Sequence, residues 1–153
     1  MTLLLIALSG GTDVQRAAVA DRLVASGKES LVAYAMTSPS YRAPLGRSRI
    51  LRAALQRTKD QAFKSPSGGL VIVHCLTEEE AAEVRAQGGV IWHLYNGVSR
   101  LVEIRQGDTI ITTKATSFRH VLTPLDALSE LVLPRLRDIA PLCAAAVDAL
   151  ADA

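Results

Sequence analysis

Residues 2–24 read TLLLIALSGGTDVQRAAVADRLV: an unbroken apolar run, a short loop, then an amphipathic helix. This is the layout of a phosphate-binding loop, Gly-x-x-x-x-Gly-Lys-Ser/Thr. In such a loop backbone N–H groups cradle the phosphates, the Lys reaches the outer phosphates and the hydroxyl holds Mg²⁺. Gly10 stands at the first glycine position, but Gln15 occupies the second, Arg16 the lysine and Ala17 the hydroxyl. Gln15 brings a Cβ and a long side chain to the point where backbone must approach phosphate. Arg16 keeps the charge and changes its shape and reach. Ala17 cannot ligate a metal. Losing one charge-stabilising group of this kind costs about 3 kcal/mol of barrier. With three altered together, ordinary phosphoryl transfer is not expected.

The remaining chemistry is anion binding. A helix N-terminus offers free N–H groups and the positive end of a dipole. The candidate phosphate-binding residues are Ser9, Gly10, Gly11, Asp13 and Arg16, with Arg42, Arg100 and Arg105 from later loops. Arg16 has two readings, a phosphate ligand or a solvated first-turn residue. Asp13 reads as the N-cap of the helix, and its charge opposes a triphosphate. The run Arg42, Arg47, Arg49, Arg52 and Arg57 is either a solvated helix face or an anion pocket. Glu78, Glu79 and Glu80 read as a capped helix start rather than a catalytic carboxylate set. Asp108, after Gly107, reads as a turn residue. Trp92 and Tyr95 are expected in core and rim.

No metal site is expected. The only cysteines, Cys75 and Cys143, lie in an apolar run and an alanine-rich stretch. They read as small buried hydrophobes, with neither disulfide framework nor metal-ligand spacing. His74, His93 and His120 are dispersed, and the first two, in or beside strands, read as structural.

These residues must be positioned by alternating strands and helices. Strand signals fall at Thr2–Leu8, Ser30–Met36, Gly69–Leu76 and Val90–Tyr95, with shorter candidates at Leu101–Arg105 and Thr109–Thr113. Helical periodicity covers 14–26 and 47–62. A third helix opens at Thr77 with a capping box, Thr at N-cap and Glu80 at N3, and stops at Gly88-Gly89. Thr123-Pro124 opens another. Pro134 and Pro141 divide the C-terminal region into further helical pieces. The pattern implies an α/β fold, an open three-layer sandwich with a mainly parallel sheet and right-handed crossovers. Ligands of such sheets bind beyond the carboxyl ends of the strands. That rim gathers Ser9–Asp13, Thr37–Arg42 and His74–Thr77.

Composition agrees with one domain over residues 1–153. Hydrophobic residues make up 49% and charged residues 21%, enough for a core and against disorder. A net charge of +2 argues against a nucleic-acid coat or a membrane-surface binder. The apolar start lacks the basic flank and cleavage site of a signal peptide, and no apolar run is long enough to span a membrane. A soluble, cytoplasmic protein is expected.

Two segments resemble the phage deoxynucleoside monophosphate kinases, part of the P-loop nucleoside monophosphate kinase group. One is LLLIALSGGTDVQRAAVADRL, residues 3–23. The other is EVRAQGGVIWHLYNGVSRLVEIRQGDTIITT, residues 83–113, similar to the family's late helix, strand, lid and Gly-Asp strand. Together they cover roughly a third of the chain. The resemblance implies a P-loop kinase-like domain, with Arg100 and Arg105 in a lid. The departures are the altered loop, His74-Cys75-Leu76 where such kinases tend to carry Asp and Arg, and a short middle region. A catalytically impaired kinase-like protein is therefore expected, binding a protein partner or a nucleotide. One alternative is an active kinase with Arg16 in the role of the lysine, which would need ATP and Mg²⁺. Another is a phage-type interaction factor directed at host machinery, in the host cytoplasm. A homodimer is a further implication of the resemblance.

Overall fold

The computed structural model describes residues 4–36, 38, 40–62, 68–112 and 121–133. The strands and α-helices follow in order: β1 (Leu4–Ser9), α1 (Asp13–Ala25), β2 (Leu31–Tyr34), α2 (Pro44–Ala62), β3 (Gly69–Ile72), α3 (Glu78–Ala86), β4 (Val90–Leu94), β5 (Thr109–Ile111) and β6 (Val121–Leu122). A helix, α4, covers 124–133. The six strands form one sheet in the order β2-β3-β1-β4-β5-β6, and every neighbouring pair is parallel.

The sheet is covered on both faces, so its central strands need no polar side. All six residues of β1 are buried. Leu4, Ile6 and Leu8 pack with Val19, Ala20 and Leu23 of α1 and with Ala127 and Leu128 of α4. Leu5 and Ala7, pointing the other way, pack with Leu51 and Leu55 of α2 and Ala81 and Val84 of α3. The period of two along β1 thus separates two cores. The connection from β1 to β2 runs in one direction across the sheet, and those from β2 through β5 run in the other. Its helix, α1, lies on the opposite face from α2 and α3, as right-handed crossovers require. The crevice beyond the carboxyl end of β1 is therefore the topological switch point, where open α/β sheets bind ligands.

Several boundaries differ from expectation. The N-cap of α1 is Thr12, not Asp13. Thr12 Oγ1 accepts from the Gln15 N–H, and the Thr12 N–H donates to Gln15 Oε1, closing a full capping box. Gln15 serves the cap because it is the N3 residue, which leaves Asp13 at the first helical position. α2 begins three residues earlier than expected, at Pro44, whose fixed φ suits a first helical position. β2 and β3 are shorter than their apolar runs. Leu101–Arg105 is not a strand. Side chains of α3 take its backbone groups instead: the Glu103 N–H donates to Glu78 Oε2 at 2.9 Å, and Arg85 donates to the Glu103 carbonyl at 3.1 Å. β6 was not anticipated; two residues carry too little pattern. The Thr123 cap forms, accepting from the Asp126 N–H at 3.3 Å. Expectations for His120, Pro134, Pro141 and Cys143 fall outside the described residues.

Candidate functional site

Beyond β1 the chain turns through two glycines in left-handed backbone, Gly10 at φ 82° and Gly11 at φ 63°. A Cβ on Gly10 would stand 2.6 Å from the Gly97 carbonyl oxygen, so the position admits glycine alone. The Gly11 N–H donates to that same carbonyl at 2.6 Å. With the Thr12 N–H held by Gln15, two of the loop's donors are already engaged.

Arg16 fills the loop. Its side chain is only 4% exposed. The guanidinium donates to the Gly10 carbonyl at 2.8 Å and the Gly11 carbonyl at 3.2 Å. It also donates to Asp13 Oδ1, and its Nε donates to His74 Nδ1 at 3.2 Å. The loop therefore turns carbonyl oxygens inward onto a cation, where a phosphate-binding loop turns N–H groups inward onto an anion. The solvated reading of Arg16 gives way to a buried side chain paired within its own loop and helix. Burial lowers the Arg16 pKa from the ordinary arginine value, and Asp13 acts against that shift.

His74 follows β3 on the same rim. Burial lowers its pKa first and the Arg16 charge lowers it further, with Asp13 opposing. Its neutral ring receives the Arg16 proton at Nδ1, which places its own proton on Nε2. The His74 carbonyl in turn accepts from Arg47 at 3.1 Å.

Arg47, from the expected arginine run, is fully buried and paired with fully buried Glu80. Nε donates to Glu80 Oε1 at 2.5 Å, and a second nitrogen reaches the Met36 carbonyl at 3.2 Å. Thr77 caps α3 through the Glu80 N–H, while the Glu80 carboxylate turns to Arg47 and the Thr77 hydroxyl. The rest of that run behaves differently. Arg52 pairs with Glu83 at the surface, Arg42 lies over Tyr41, and Arg49 and Arg57 are exposed.

A third cluster lies under the 98–108 segment. His93 Nε2 is 2.8 Å from Asp108 Oδ2, which also accepts from Arg85 at 2.7 Å and the Arg105 N–H at 3.0 Å. Burial alone would raise the Asp108 pKa, but these hydrogen bonds outweigh it and hold the carboxyl below its ordinary value. Arg105 also pairs with Glu78 at 2.9 Å. Arg100 is exposed.

Of the sequence candidates, Gly10, Gly11, Asp13 and Arg16 share one place, Ser9 precedes it at the end of β1, Arg42 and Arg100 are exposed, and Arg105 joins the Asp108 cluster. The sequence reading missed His74, Glu80, His93 and Asp108 as partners. A usable signal existed for two: His74 stands directly after a buried run on the rim already assigned to Arg16, and His93 is embedded in the apolar VIWHL of β4. Cys75 is buried, and burial pushes its thiol pKa up, away from the reactive thiolate. Among the described residues no cluster of His, Cys, Asp and Glu is placed to hold a metal, and no helix is long and apolar enough to cross a membrane. No family model matches the chain, and neither a curated protein nor a solved structure matches it.

Proposed function

We propose that this chain is a catalytically impaired, nucleotide-kinase-like protein that acts by binding, with a protein as its partner, rather than by moving phosphate. The observation that carries the reading is the Arg16 guanidinium seated against the Gly10 and Gly11 carbonyls. A phosphate in that place would displace the arginine and meet two carbonyl oxygens and the Asp13 carboxylate, all repulsive to it. The same obstacle weighs against an active kinase, because Arg16 is already held by four acceptors. Support for a protein partner comes from the connections beyond β1, β2 and β4. They expose Val14, Tyr41, Leu45, Tyr95, Val98 and Leu101, apolar surface that a protein partner would cover.

Two measurements test this. A coupled assay with ATP, Mg²⁺ or Mn²⁺ and each deoxynucleoside monophosphate is expected to give turnover below about 1 s⁻¹, the low end for enzymes. Calorimetry at fixed ionic strength is expected to show sulfate or phosphate binding at millimolar levels at most, and no magnesium-dependent ATP binding. Micromolar, magnesium-dependent ATP affinity would overturn the proposal.

A further inference from the structure

Ser9 and His93 are both fully buried. They are direct partners across the parallel β1–β4 ladder. They share the sheet face of Leu5, Ala7 and Ile91, where successive residues alternate. Ser9 Oγ and His93 Nδ1 are also the two buried side-chain polar atoms, among the described residues, that have no hydrogen-bond partner.

Their chemistry is complementary. Asp108 accepts from Arg85 and from the Arg105 N–H, and its depressed pKa keeps it a carboxylate. A carboxylate only accepts, so His93 Nε2, 2.8 Å away, must donate. In the neutral ring Nδ1 is then an acceptor lacking a donor, while the Ser9 hydroxyl is a donor lacking an acceptor. The same three residue types carry out acyl transfer elsewhere, with the serine open to substrate. Here neither Ser9 nor His93 is exposed, so a carbonyl substrate has no access to the serine. A molecule suited to these two atoms is small, neutral and able to donate and accept at once.

We infer that one water molecule is bound between Ser9 and His93, closing a relay from Ser9 through water and His93 to Asp108. Buried waters sit where two or more polar groups lack other partners. The relay ties the end of β1, where the Arg16-filled loop begins, to Asp108 and so to Arg85 and the 98–108 segment.

Water-proton or ¹⁷O relaxation dispersion counts long-lived internal waters. Wild type is expected to hold one more than Ser9→Val, whose methyls cannot hydrogen-bond to a water. Ring ¹⁵N spectra should show His93 protonated on Nε2 and hydrogen-bonded as an acceptor on Nδ1, with the Nδ1 hydrogen bond lost in Ser9→Ala. If Ser9→Val does not fold, a wild-type crystal structure at atomic resolution decides, with density for one water between the two side chains as the supporting result. An unchanged water count, protonation on Nδ1, or a direct Ser9–His93 hydrogen bond would each overturn the inference.

Discussion

Two arginines stand at the same end of the sheet on opposite faces, and both use His74. Arg16, from α1, donates to the His74 ring; Arg47, from α2, donates to the His74 carbonyl. Their partners differ. Arg47 meets a carboxylate from another helix, and both members of the pair are 0% exposed. Arg16 meets an aspartate of its own helix that is 80% exposed, plus the carbonyls of the loop it fills. The first pair locks two helices and two loops together. The second closes one loop onto the helix that follows it. Burial of an arginine therefore does not define its role; the origin and exposure of the partner do.

The largest expected effect breaks the Arg47 side. Glu80→Ala leaves a buried guanidinium uncompensated and should cost about 3–5 kcal/mol in denaturant unfolding. A double replacement of Arg47 and Glu80 by Met and Leu should recover most of it, because a buried pair is often no better than packed apolar groups. A loss below about 1 kcal/mol in the single variant would mean that the pair locks nothing.

Arg16→Ala should cost less, about 1–3 kcal/mol, from acceptors left without donors. It should also leave a site for a free guanidinium ion. Millimolar guanidinium should raise the melting temperature of this variant relative to equal sodium chloride, and should not do so for wild type. Equal responses from the two proteins would show that the loop has no cation site of its own.

The shared histidine gives a pH signature of smaller size. The folded-state pKa of His74 lies below its ordinary 6.5, so the unfolded chain takes up the proton first. The stability this provides is present above pH 6.5 and is lost as pH falls through the lower folded value. Asp108 follows the same sign in a more acidic window, below its ordinary 3.8. His74→Asn, which offers an uncharged acceptor, should flatten the first decline and leave the second, as read by urea titrations across pH. Persistence of the first decline would assign it to another group.

The smallest effect belongs to Asp13→Asn. An exposed charge contributes under about 1 kcal/mol, and less in salt. A larger change would place Asp13 beside Glu80 as a structural carboxylate.

The long elements were legible in the sequence because each carried its own pattern. β1 and β4 are apolar but for Ser9 and His93, and α3 announces itself with Thr77 and ends at its glycines. That residues 15–17 depart from a phosphate-binding loop is read directly from Gln15, Arg16 and Ala17. The filling of the loop by Arg16 was not legible. That Arg16 folds back onto Gly10 and Gly11 depends on loop backbone conformation, which local residue types leave open. The Arg47–Glu80 and His93–Asp108 pairs join residues brought together only by tertiary packing. The false strand at Leu101–Arg105 has a related cause: Glu78 and Arg85, distant in sequence, take the backbone groups that a strand would need.

The order of the strands also sets a timetable. β1 emerges first during synthesis, yet its neighbours begin only at Gly69 and Val90. At about 5–20 residues per second, its wholly apolar run waits several seconds for both flanks. All five strand pairings are parallel and most close long loops, the arrangement that folds slowly. The strand most buried in the finished protein is thus the one longest exposed while the chain is being made.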